Sequence, residues 1–133
     1  MLRIHQSVAW FVVCANALVG VWAVSAHWFQ RLVVPALWWC IGIAYGAVGV
    51  QVLLGIYLVS AGGYKIAGTN AGLGGVAAFH VFYGVIAVIA VAIAWIYSRT
   101  SDWVTDNREL FFGLFSLFVM GLAIRAMITV NAV

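Results

Sequence analysis

The chain has 133 residues, 67% of them hydrophobic and 7% charged, with a formal charge of +3. Soluble domains carry about 25% charged residues, so this composition excludes a soluble globular protein. The six basic residues are scattered, which excludes a nucleic-acid patch and suits the ends of membrane helices.

A bilayer core about 30 Å thick is crossed by roughly 20 apolar residues in a helix. The first such run lies between Arg3 and Arg31 and predicts a helix over 4–28. It opens like a signal peptide, with Arg3 ahead of an apolar body and Val24-Ser25-Ala26 resembling a cleavage site. The apolar body exceeds the about 7–15 residues of a signal h-region, so a retained span is expected. His5, Ala9, Val12, Asn16, Gly20, Ala23 and His27 follow a three-four spacing and share one face. Trp10, Phe11, Leu18 and Trp22 fall opposite. Small and polar residues on one side predict that this side packs in protein. Asn16, in mid-span, calls for an interhelical hydrogen bond.

The second run predicts a helix over 36–60, started by Pro35, the chain's one proline. Gly42, Gly46 and Gly49 offer it a surface for close helix contact. Gln51 is placed to meet Asn16. The connection 61–74 is glycine-rich and holds Lys65. The third run predicts a helix over 75–97, with His80, Gly84, Ala87, Ala90 and Ala94 on one stripe. The connection 98–106 is polar, and Asp106 and Asn107 are candidate N-caps. The last run predicts a helix over 107–130, with Gly113, Leu117, Gly121 and Arg125 at four-residue spacing. Cys14 and Cys40 read as small buried apolar residues at different depths, without a metal or disulfide pattern.

The expected fold is therefore all-α. Residues 1–133 form a single membrane domain, a four-transmembrane-helix bundle with both termini on the same side. The face holding the N-terminus is side A and the other is side B. Arg3, Lys65 and Arg125 fall on side A, and Arg31, Arg99 and Arg108 on side B, so the positive-inside rule does not choose an orientation. The basic N-terminus and the acids of side B favour side A inside. Six of the seven tryptophans fall toward side B, and Trp10 alone toward side A.

No HExxH, GxSxG, P-loop or dinucleotide fingerprint is present. The three carboxylates, Asp102, Asp106 and Glu109, cluster outside the span centres, which disfavours a proton-coupled exporter. The chemistry that remains concerns depth. His5, His80 and Arg125 lie within about one helical turn of each other in depth on side A, and Tyr83 follows His80 by one turn. Ionisable residues inside spans point to function by default. Arg125 follows fifteen uncharged residues, and the only side-A carboxylate would be that of Val133. Two facing histidines suit haem b, with the arginine near its propionates. The same group suits a quinone head or an anionic lipid head group. The bland reading places His5 at headgroup level, bonds His80 to a carbonyl and lets Arg125 snorkel. The side-B group of His27, Gln30, Arg31 and the acids reads as a solvated loop surface.

The segments His80-Val81-Phe82-Tyr83-Gly84 and Gly121-Leu122-Ala123-Ile124-Arg125-Ala126-Met127, with the opening His5-Gln6-Ser7-Val8-Ala9-Trp10, resemble a family of uncharacterised four-helix membrane proteins from actinobacteria. The resemblance implies four spans and no activity, and it marks His80, Tyr83 and Arg125 as signature positions. The functional expectation is a small non-catalytic subunit or accessory protein of a larger bacterial membrane complex, of respiratory type, in the plasma membrane. Its expected partners are membrane lipids and other membrane subunits. The alternative is a redox protein that binds haem b or quinone through His5, His80, Tyr83 and Arg125.

Overall fold

The computed structural model describes residues 2–61 and 76–131. Four long helices form a bundle: α1 Leu2–Trp28, α2 Pro35–Ser60, α3 Val76–Thr100 and α5 Arg108–Asn131. A one-turn helix, α4 Asp102–Asp106, joins the last two. The four long helices are each long and apolar enough to cross a membrane, and no strand occurs among the described residues. The connection 61–74 and its Lys65 lie outside the described residues, apart from Ala61.

The ends follow local chemistry. Pro35 opens α2, where its missing N–H has no partner to lose. Between α1 and α2 the chain makes a 3-10 turn, Gln30–Leu32, pinned by a bond from the Trp22 indole to the Leu32 carbonyl at 3.1 Å. The polar stretch read as a loop over 98–106 is mostly helical. Ser98 and Thr100 return their hydroxyls to the carbonyls of Trp95 and Ile96, and α3 continues to Thr100. Ser101 then accepts from the Val104 N–H and caps α4. Asn107, expected as an N-cap, donates its side-chain amide to the Trp103 carbonyl instead.

Each helix packs on its two ring neighbours, with α1 on α5 the most extensive interface and α2 on α3 the sparsest. Thus α1 and α3 are diagonal. The core has two parts. One is built on Val19, Ala23, Leu37, Ile41, Ala44 and Phe112, and the other on Val12, Val48, Ala87 and Val119. The expected face of α1 is the packed one: Val12, Asn16, Gly20 and Ala23 are buried, while Trp10 and Leu18 point outward. Trp22 departs from the expectation, being half-buried because its indole closes the turn after α1.

The glycine stripe of α2 also departs. A Cβ at Gly42, Gly46 or Gly49 would meet nothing within 4 Å. The packed face of α2 is Leu37, Ile41, Ala44 and Val48, and the glycines lie off it. Close approach occurs between α1 and α5 instead. A Cβ on Gly113 would stand 2.6 Å from the Val24 backbone nitrogen and 2.7 Å from its Cγ2. A Cβ on Gly20 would stand 2.8 Å from the Leu117 side chain and 3.1 Å from the Gly113 carbonyl oxygen. The stripe expected on α5 is split accordingly: Gly113 and Leu117 face α1, whereas Gly121 and Arg125 are exposed. Cys14, expected inside, is exposed, and Cys40 is half-buried.

Two predictions follow from this packing. Gly113→Ala places a methyl group against backbone that has no rotamer with which to retreat, and should cost about 1–3 kcal/mol. Gly46→Ala has open space and gains helix propensity of about 1 kcal/mol. Thermal unfolding in detergent should therefore fall for the first variant and hold or rise for the second; the reverse order removes the α1–α5 contact as the tight interface. Four spans also require both termini on one side of the membrane, so tags at the two ends should show equal accessibility in sealed vesicles. Opposite accessibility would mean an odd number of crossings.

Candidate functional site

At one end of the bundle the start of α1, the late turns of α2, the start of α3 and the end of α5 converge. His5 and His80 come from the diagonal pair α1 and α3, so their contact crosses the bundle axis. Their ring centroids are 5.9 Å apart at 65°. Both side chains are half-buried.

Each imidazole is oriented by another helix. The His80 Nδ1 lies 3.1 Å from the Ala126 carbonyl oxygen of α5. A carbonyl only accepts, so Nδ1 carries the proton and Nε2 keeps its lone pair. The His5 Nε2 lies 3.2 Å from the Gln51 Nε2 of α2, and the Gln51 amide donates to it. The edge of His5 rests on α2 at Gly55, where a Cβ would meet His5 Cε1 at 3.5 Å.

This second pair is incompletely satisfied. His5 Nδ1 and Gln51 Oε1 are buried and have no hydrogen-bond partner. With Gln51 donating, the orphans are an N–H donor on His5 and a carbonyl acceptor on Gln51. Turning the amide and exchanging the tautomer reverses these roles and still leaves one donor and one acceptor. Each such group costs about 1–3 kcal/mol.

One turn along α3, Tyr83 accepts a hydrogen bond from the Arg125 Nε at 3.4 Å. Arg125 itself is exposed. The residues predicted from depth thus form two pairs, His5 with His80 and Tyr83 with Arg125. The pairs are linked by the adjacency of Arg125 and Ala126 and by the single turn between His80 and Tyr83. Among the described residues no three His, Cys, Asp or Glu side chains gather.

Gln51 is the member that sequence reasoning assigned elsewhere. Expected at Asn16, it reaches His5. It lies nine residues before the end of α2, while His5 lies three after the start of α1. Counting depth from helix ends failed because α2 overhangs α1 by nearly two turns. Asn16 is fully buried and donates to the Val12 carbonyl of its own helix at 2.9 Å, with Oδ1 unpartnered. The interhelical bond expected of it is not formed. A further polar contact was not anticipated: buried Ser116 donates to the Tyr45 hydroxyl at 3.3 Å, and Tyr45 donates to the Phe112 carbonyl at 3.4 Å. That pair is internally satisfied and joins α2 to α5.

Comparison with protein-family profiles, with curated proteins and with solved structures finds no match. The chemistry of the cluster therefore rests on its geometry.

The His80–Ala126 bond has a direct test. Two-bond proton–nitrogen correlation spectra of the labelled protein should show His80 as the Nδ1–H tautomer. Observation of the Nε2–H tautomer would remove this bond from the description of the site.

Proposed function

We propose that this chain is a small multi-pass protein of the bacterial plasma membrane that holds the head of a redox cofactor at the His5–Gln51–His80 cluster. It does so as a non-catalytic subunit or accessory of a larger complex of respiratory type. One observation carries the reading. An orphaned buried donor and an orphaned buried acceptor sit on a His–Gln pair that faces a second histidine across the bundle axis.

A quinone–quinol head answers that chemistry. A quinone carbonyl accepts from the free N–H, and a quinol hydroxyl both accepts and donates, meeting both orphans at once. Tyr83 and Arg125 supply further hydrogen-bonding groups one turn away. Haem b is the second reading, favoured by the facing imidazoles and by the carbonyl that fixes His80 Nδ1 and leaves Nε2 for a metal. When bound, such a group would supply one-electron chemistry, and the chain's own residues would bind it and exclude water.

The subunit role draws on the outer surface. All four spans present bulky apolar side chains outward, among them Trp10, Leu53, Ile93 and Phe118, which suit lipid or a partner helix. The likeness to actinobacterial four-helix membrane proteins belongs to the same proposal, with His80, Tyr83 and Arg125 as its signature positions.

Purification in mild detergent, followed by solvent extraction and a reduced-minus-oxidised visible spectrum, decides between the readings. A quinone that binds in proportion to protein, and is lost in Gln51→Leu and His80→Leu variants that keep their helicity, is the expected result. Reducible Soret and α bands would transfer the site to haem b. Absence of both, with no binding of an added short-chain quinone, would overturn the cofactor reading.

A further inference from the structure

A second feature lies at the other end of the bundle, away from His5 and His80. The sparse seam between α2 and α3 opens as a groove of about 650 Å³, floored by Phe112 of α5. Its walls include Ile41, Gly42, Val88 and Ala92. A Cβ on Gly42 would meet nothing within 4 Å, so this wall has room. From Trp38 to Tyr45 on α2, and from Trp95 to Val88 on α3, the groove runs about 10 Å along the helices.

One cation, Arg108, lines this apolar groove, and a second, Arg99, lies on a lining tryptophan. Arg108 Cζ lies 4.5 Å from the ring centroid of Trp38, and Arg99 Cζ lies 4.7 Å from that of Trp95. Both tryptophans line the groove. Cation–π contact over a ring face holds each guanidinium in place while its N–H donors remain available at the edge. Asp102, Asp106 and Glu109 lie on the same side. Among the described residues none of them forms an ion pair with Arg99 or Arg108. Tryptophan and arginine at this level mark the headgroup boundary of a bilayer.

We propose that this groove binds an anionic phospholipid, with its phosphate on Arg99 and Arg108 and one acyl chain along the α2–α3 seam. Charge and shape select the occupant. An apolar partner helix would cover the seam but leave two guanidiniums facing it without an acceptor, which is costly away from water. A phosphate ester supplies charge-assisted acceptors to arginine, and its chain matches an apolar slot that starts at the same level. A zwitterionic choline lipid brings its own cation to a site that already holds two.

Native mass spectrometry of the full chain in detergent tests this, with phosphatidylglycerol and phosphatidylcholine of identical chains as probes. One phosphatidylglycerol should be retained, with roughly tenfold preference, the scale of one charge-assisted hydrogen bond. Arg99→Gln with Arg108→Gln should lower retention of phosphatidylglycerol to that of phosphatidylcholine. Gly42→Leu should fill the groove and lower retention with both arginines intact. Ala92→Leu fills it from α3, and serves if the first variant loses helicity. Equal retention of the two lipids by the natural chain, or unchanged phosphatidylglycerol retention in the double arginine variant, would overturn the proposal. The histidine cluster plays no part in this readout.

Discussion

Between α1 and α5 two backbones meet with no side chain to separate them. Gly113 faces the Val24 nitrogen, and Gly20 faces both Leu117 and the Gly113 carbonyl. Lipid tails are as apolar as the side chains they would replace, so helices in a bilayer gain little from hiding apolar surface from one another. Contact at short range supplies the attraction instead, and it falls off quickly when a gap opens. The most extensive interface of the bundle is the one where glycines allow that range. Asn16 on α1 and Ser116 on α5 are fully buried. The other two helices lean on this pair. Tyr45 attaches α2 to α5 through Phe112 and Ser116, and His80 attaches α3 to α5 through Ala126. Little then remains to close α2 onto α3.

The number, type and approximate limits of the long helices were legible because uncharged runs of spanning length have no other stable state in a membrane. The packed face of α1 was legible too, since its small and polar residues keep one angular position for the whole span. Choosing which glycines make contact was harder. The three on α2 follow the small-residue spacing better than Gly20 and Gly113 do, yet they point to open space. Small residues permit close approach without compelling it. What decides is whether the facing helix offers a matching depression at the same depth, and that belongs to a pair of helices, not to one sequence.

Depth counted from helix ends brought His5, His80, Tyr83 and Arg125 to one end, and there they stand as a ring contact between the histidines and a hydrogen bond between Arg125 and Tyr83. The count misplaced Gln51, since it assumes that helices end at one level, and α2 continues past the start of α1. Arg125 reaches the Tyr83 hydroxyl through its Nε. The polar connection before α5 was misjudged as loop. The Ser98, Thr100 and Thr105 hydroxyls bond to backbone carbonyls one turn earlier, which lets a hydrophilic segment remain helical at the membrane edge.

The two ends of the bundle handle polarity in opposite ways. Toward side B Arg99 and Arg108 each lie on a tryptophan, and the Gln30 amide serves the last carbonyls of α1. Among the described residues no buried side-chain polar atom at that end lacks a partner. Toward side A hydrogen-bonding groups go inward: His5, Gln51 and His80 meet across the axis, and two of their polar atoms have no partner. Apolar side chains of similar volume would fill that space without the penalty. A bundle that depends on short-range contact has little stability to spend on unsatisfied groups. Asn16 Oδ1 in mid-span is unpartnered too, but the His5–Gln51 pair gathers two such atoms beside a second histidine. A local violation of packing rules built from residues that exchange protons or ligate metals is where function is expected to reside. The arrangement costs the fold something that an occupant would return, which is the physical reason for proposing a ligand at His5, Gln51 and His80 and not along the internally satisfied Tyr45–Ser116 contact.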